Sequence, residues 1–285
     1  MTRLEWKLAR RALVVTERTL VMGVLNVTPD SFSDGGQFRD TDRAVARAEE
    51  MVAEGADILD IGGESTRPGA GAVPAEEELR RVVPVIERLS AKVTVPISVD
   101  TTKAVVARAA LGSGAEIIND ISGLRFDPRL ADEAARARAG LILMHSRGDA
   151  DTMHGLPPVA DIMAEVAKSL TASITEAESR GVERAAIVID PGIGFGKSQE
   201  QNVELLGRLR EFARLFADFP VLVGTSRKSF IGRLLAGAPA AERLHGTMAT
   251  VTAAVLAGAH VVRVHDVRAA VETVRVADAI KRAAG

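Results

Sequence analysis

The 285-residue sequence contains no cysteine, which excludes a disulfide framework and any chemistry that depends on a thiolate. Aromatic residues are scarce at 3%, with no tyrosine and a single tryptophan. Charge of one sign is also missing: 36 Lys and Arg face 38 Asp and Glu. That balance gives no general attraction to nucleic acid or to an anionic membrane. The first twenty residues mix Arg, Lys and Glu with short apolar pieces and so read as neither a signal peptide nor a membrane span. The expectation is a cytoplasmic protein. No linker or shift in composition divides the chain, which predicts one domain over residues 1–285. Apolar residues are plentiful at 47%, enough for a substantial core.

Those apolar residues are arranged in a repeating unit. Short β-branched runs at 20–28, 57–65, 95–101, 116–122, 140–146, 186–192, 220–227 and 260–266 alternate with stretches of helical periodicity. The runs are nearly continuous in hydrophobicity, as strands covered on both faces are. Eight strands, each followed by a helix, predict a closed (β/α)8 barrel of the TIM type. An open doubly wound sheet is the alternative, but its glycine fingerprint is missing after the first strand. Residues 1–19 form an N-terminal extension whose loose alternation predicts a hairpin over the bottom of the barrel.

The C-terminal strand ends carry the chemistry in such a barrel. Here that edge holds Asn26, Glu64 to Arg67, Asp100, Asn119 with Asp120, His145, Asp190, Arg227 with Lys228, and Arg263 with His265. Helix capping accounts for a few such residues, though not for a ring of carboxylates, amides and basic groups from every quarter. Asp100, Asn119 and Asp190, from the third, fourth and sixth strands, are expected to converge on one side. There they suit a flat heterocycle that presents several N–H donors. Arg67, Arg263 and His265, from the second and eighth strands, are expected opposite them and suit a phosphorylated group.

One stretch invites a different reading. IDPGIGFGKS (189–198) follows an apolar strand and precedes a helix, like a phosphate-binding loop. The position five before Gly196 is Pro191, however, where that loop needs glycine, and proline has no N–H to offer. A nucleotide hydrolase is excluded on this spacing, which leaves Asp190 to be explained.

Taken together, NVTPDSFSDGG (26–36), GGESTRPG (62–69), SVDT (98–101), INDISG (118–123), LMH (143–145), IDPGIGFGK (189–197), GTSRKSFIG (224–232) and RVHD (263–266) resemble the dihydropteroate synthase family. The blocks run in order from residue 21 to about 268. The resemblance implies a TIM-barrel transferase of folate biosynthesis, dimeric, dependent on Mg²⁺ and a target of sulfonamides. It implies condensation of 6-hydroxymethyl-7,8-dihydropterin diphosphate with 4-aminobenzoate, giving 7,8-dihydropteroate and pyrophosphate. By the same resemblance Asp100, Asn119, Asp190 and Lys228 bind the pterin, while Arg67, Arg263 and His265 bind the diphosphate. Thr66, Pro68, Phe195 and Ser229, with Phe32 closing over them, would form the aminobenzoate pocket. Asn26 is associated with Mg²⁺, and Asp100, Lys228 and Arg263 carry the catalysis. Lys197 lies in a matching block without a role. His145 and His245 are expected to be structural, and His154 solvated. A corrinoid-dependent pterin methyltransferase has no need of the Arg67, Arg263 and His265 cluster; a non-catalytic pterin-binding paralogue is the other alternative.

Overall fold

The computed structural model describes residues 4–28, 36–64, 73–149, 152 and 155–284. Two short antiparallel strands, β1 (Glu5–Lys7) and β2 (Ala12–Val14), form the expected hairpin, with Trp6 opposite Leu13. Eight parallel strands follow: β3 (Leu20–Asn26), β4 (Ile58–Gly62), β5 (Ile97–Asp100), β6 (Ile117–Asp120), β7 (Gly140–Met144), β8 (Ile187–Asp190), β9 (Leu222–Val223) and β10 (Val261–Val264). They pair in chain order, β10 closes onto β3, and a parallel bridge between Ile189 and Val221 joins β8 to the start of β9. The barrel is closed.

The strands read as continuously apolar because each face meets a different apolar layer. Outward residues such as Leu59, Ile61, Ile118, Leu141 and Ile189 belong to the core shared with the surrounding helices. Inward residues Met22, Ile58, Ile117, Ile142, Val188, Leu222 and Val261 pack with Trp6 and Leu8 of the hairpin. Burying a side chain of this size is worth about 1.5–3 kcal/mol. Trp6 is fully buried and donates from Nε1 to the Ala186 carbonyl at 2.9 Å, so the hairpin plugs the bottom of the barrel. Gly140 admits it: a Cβ there would lie 2.9 Å from Trp6 Nε1.

The helices are α1 (Gly36–Ala53), α2 (Ala75–Ser90), α3 (Ala104–Gly112), α4 (Arg129–Ala137), α5 (Ile162–Ser179), α6 (Gln199–Gly207), α7 (Leu209–Leu215), α8 (Ser229–Leu234), α9 (Leu244–Ala257) and α10 (Val267–Ala283). Two expectations need correction. The seventh barrel strand keeps only Leu222 and Val223, because the chain beyond it turns and Arg227 adopts a positive φ of 59°. The single helix expected after the 189–198 stretch divides at Arg208, whose φ of −98° and ψ of 11° lie outside the helical range.

Strand periodicity sets the site above the plug. Asp60, Asn119, Asp190 and Arg263 each stand two residues beyond a plug residue, namely Ile58, Ile117, Val188 and Val261. Side chains two apart share a face, so the lumen changes from apolar at the bottom to charged at the top.

Candidate active site

A charged network occupies that upper layer. Arg263 on β10 donates from Nε to Asp60 Oδ2 and from Nη2 to Asp100 Oδ2, both at 2.6 Å. Asn119 on β6 donates from Nδ2 to the same Asp60 oxygen at 3.0 Å. Arg263 therefore does not stand across the mouth from Asp100, as strand order suggests, but reaches over the lumen to it. Burial is the largest influence on Asp100 and raises its pKa above the usual carboxylate range; Arg263 opposes this and nearby Asp60 adds to it. Asp60 is fully buried and was not foreseen as a site residue. Its spacing from Ile58 is the signal that could have found it.

Asp190 ends β8 with its side chain buried, and its Oδ1 accepts from the Gly192 N–H at 2.7 Å. Burial raises its pKa, against the pull of the Lys228 ammonium. Lys228, just before α8, donates to the Ile193 carbonyl, and its Nζ stands 4.3 Å from the centre of the Phe195 ring. Burial lowers the Lys228 pKa to about 7, with Asp190 opposing the shift.

The glycines between Asp190 and Lys197 serve close contact rather than phosphate binding. Gly192 has φ +68°, and a Cβ there would lie 1.8 Å from the His145 carbonyl oxygen. At Gly196 (φ +67°) a Cβ would meet Arg147 at 2.6 Å. Gly194 lies against Lys228, whose Cδ would be 2.8 Å from an added Cβ. Lys197 fastens this loop from within. Its Nζ donates to the carbonyls of Gly192 (2.7 Å), Phe195 (3.1 Å) and His145 (3.3 Å), which gives it the role the sequence left open. Asn202, also unforeseen, accepts from the Gly194 N–H at 2.5 Å. We expect Lys197→Met, which keeps length but no donor, to lower stability by about 1–3 kcal/mol in urea unfolding, since buried carbonyls lose their partner. An unchanged midpoint would mean that the loop holds itself.

Several strand-end residues are structural. Both Asp120 oxygens accept from the turn after β6, from Ser122 (2.8 and 2.7 Å) and the Leu124 N–H (2.5 Å). Glu64 and the buried Glu78 both pair with Lys103. Arg227 pairs with Asp266. His145 is buried, and burial followed by the charge of Lys197 lowers its pKa to about 2, so it stays neutral. His245 is exposed.

At the rim, His265 Nδ1 lies 3.0 Å from Ser226 Oγ, a partner the sequence did not reveal. Ser229 is exposed at the start of α8. Asn26 Oδ1 and Asp100 Oδ2 both lie over Gly62, at 3.8 and 3.7 Å from where its Cβ would be. Phe32, Thr66, Arg67, Pro68 and His154 lie outside the described residues.

Fold and site define a barrel enzyme with a carboxylate- and amide-lined mouth. The sequence profile of the family described as pterin binding enzyme matches residues 22–265. A dihydropteroate synthase of Synechocystis sp. is 50% identical over 266 residues, covering 93% of this chain and 91% of that protein. The Xanthomonas albilineans dihydropteroate synthase with 4-aminobenzoic acid has a TM-score of 0.91 and 47% identity, covering 98% of this chain and 99% of that one. The same enzyme in complex with 7,8-dihydropteroate has a TM-score of 0.87 and 44% identity, covering 97% and 98%. The chain belongs to the pterin-binding enzymes and, among them, to the dihydropteroate synthase family.

Proposed function

We propose that the mouth of this barrel joins 6-hydroxymethyl-7,8-dihydropterin diphosphate to 4-aminobenzoate, releasing pyrophosphate. The observation that carries this reading is the cluster of Asp100, Asn119 and Asp190 over an apolar plug, a donor-seeking surface in a buried setting. Asp190 Oδ2 and Asn119 Oδ1 would accept from the N–H edge of the pterin, with Lys228 beside them. Phe195 and Ser229, with Thr66, Pro68 and Phe32, would receive the aminobenzoate. In the reaction the bond from the pterin methylene carbon to the diphosphate oxygen breaks, and a bond from that carbon to the aryl nitrogen forms. The aryl nitrogen then loses a proton to solvent. The amine is neutral at pH 7 and needs no strong base.

Arg263 sits between two carboxylates, so with both ionised the trio carries net negative charge. That favours positive charge developing at the methylene carbon as the diphosphate leaves. Arg263, His265 and Arg67 would hold the diphosphate, Arg263 through Nη1, which is not used in its bonds to Asp60 and Asp100. Mg²⁺, when bound, would neutralise the leaving group. The residues fit such an ion: Asn26 Oδ1 and Asp100 Oδ2, both hard oxygen donors, lie together over Gly62 at the mouth. Mg²⁺ is characteristically held by one or two protein oxygens together with substrate phosphates, and Asn26 Oδ1 at the mouth would be one of them.

We propose a cytoplasmic location on the mixed, charge-balanced composition of the chain; separately, among the described residues no helix is long and apolar enough to cross a membrane. We also propose a homodimer formed through the later helices. Val276 and Ile280 on α10 are 62% and 51% exposed, and Leu244 at the start of α9 is 37% exposed.

Incubation with the pterin diphosphate, 4-aminobenzoate and Mg²⁺ should release pyrophosphate and form dihydropteroate; no pyrophosphate release would refute the activity. Sedimentation as a monomer at micromolar concentration would refute the dimer. The pH profile gives a finer test. Lys228 has its folded pKa lowered to about 7, so its positive charge is lost as pH rises through that value. We expect kcat/KM to fall above pH 7 and this limb to vanish in Lys228→Arg, whose guanidinium stays charged. The same limb in both proteins would assign the titration to another group.

A further inference from the structure

We propose that Asp60 is a positioning residue that gives the pterin site its polarity, by fixing which end of the Asn119 amide faces the ligand. The proposal rests on the pterin reading of this site and gives Asp60 a part in pterin binding that the reading does not assign to it. Asp60 Oδ2 receives two donors, Asn119 Nδ2 at 3.0 Å and Arg263 Nε at 2.6 Å. An ionised carboxylate only accepts hydrogen bonds, so the amide must turn its NH₂ down towards Asp60. A flipped amide would bring two oxygens together at that distance in a buried setting, where such mispairing is costly. The amide oxygen of Asn119 is then left pointing up to the mouth as a fixed acceptor. This orientation follows from the chemistry of the carboxylate, not from how the amide atoms are assigned.

The second donor ties the same oxygen to the opposite strand. Arg263 completes the set by donating to Asp100 Oδ2 at 2.6 Å, so Asp60 and Asp100 grip one guanidinium from two sides. One buried carboxylate on β4 thereby sets an acceptor on β6 and a cation on β10. Without Asp60, Asn119 could present either its oxygen or its NH₂ to the ligand. The site would then lose its preference for a ring edge that donates.

The test is a double-mutant cycle read by calorimetry with a 7,8-dihydropterin that carries no diphosphate. Asp60→Asn keeps the shape of the side chain and removes its charge. We expect it to weaken dihydropterin binding by roughly tenfold, because a neutral amide no longer dictates how Asn119 turns. Asn119→Ala should weaken binding at least as much. Adding Asp60→Asn to Asn119→Ala should cost no more than about twofold further, since the first residue acts through the second. Ser98→Ala is the control for disturbing the barrel interior: Ser98 pairs in register with Asp60 yet takes no part in its hydrogen bonds. It should bind like the parent.

Losses that multiply in the double variant would overturn the role of Asp60 while leaving the pterin site standing. So would parent-like binding by Asp60→Asn. A parent protein that does not bind the dihydropterin would overturn the site reading itself, and the inference with it. A measurement on the unsubstituted chain guards against a variant that fails to fold. The Asn119 side-chain amide, identified in NMR spectra by its loss in Asn119→Asp, should exchange slowly with solvent because its NH₂ is bonded to a buried carboxylate. Rapid exchange would refute the contact on which the proposal stands.

Discussion

Replacing Asp190 with Asn should lower kcat/KM by on the order of a hundredfold or more, with most of the loss in pterin binding. The reason lies in the double duty of this carboxylate. One oxygen accepts from the Gly192 N–H at 2.7 Å, which shapes the turn after β8. The other oxygen is left for the ligand. An amide cannot serve both. With its oxygen turned to Gly192, its NH₂ confronts the donor edge of the ring; turned over, its NH₂ confronts the Gly192 N–H. Either arrangement mispairs a buried group at about 1–3 kcal/mol, and the charge-assisted bond to the ligand is lost as well. The Lys228 ammonium also loses the carboxylate that opposes its downward shift. Calorimetry with dihydropterin decides the matter: binding as tight as the parent's would move the ring away from Asp190.

Asp190 also shows how much of the site is legible in a sequence. Its position at the end of an apolar run, with glycines after it, marks a strand entering a tight loop, and the structure bears that out in detail. The barrel was legible for the same reason, since apolar runs repeat along the chain with helical stretches between them. Asp60 does not stand out in the sequence, because Ile58, Leu59 and Ile61 around it read as unbroken core. Only the period of two along β4 separates Asp60 and Ile58, facing the lumen, from Leu59 and Ile61, facing the helices. Arg263 reaches a side of the lumen that its strand does not indicate, for a different reason. Strand order gives the position of a Cα, whereas a guanidinium on a long stem can cross the narrow lumen of an eight-stranded barrel. Lys197 was illegible in principle, because its partners are three backbone carbonyls that carry no side-chain signature. The seventh barrel strand ends early because the apolar run VLV gives way at Gly224 to polar Thr225, Ser226 and Arg227, where the chain turns.

Arg263→Ala is expected to damage the protein twice over. The first loss is stability, by about 3–5 kcal/mol, because the change leaves Asp60 and Asp100 without the cation that both contact. Exposed pairs are worth about 1 kcal/mol or less, so a loss of that smaller size would contradict the buried network. The second loss is affinity for pyrophosphate, while dihydropterin binding to the folded fraction falls less. The pH dependence separates these effects. Asp100 already has a raised pKa in the folded protein, and Arg263 is the group that opposes the rise. Removing Arg263 pushes the folded-state Asp100 carboxyl further above its unfolded value. The folded variant then holds protons that the unfolded chain has released, so its stability must fall as pH rises above about 4, the ordinary carboxylate value. The deficit relative to the parent should therefore be smaller at pH 5.5 than at pH 8. Adding Asp60→Asn to Arg263→Ala should restore part of the stability at pH 8, since it removes one of the two unpaired charges. Urea unfolding of parent, single and double variants at both pH values tests each step. Equal deficits at the two pH values, or no recovery in the double variant, would mean that Arg263 supports the barrel by packing and not by charge.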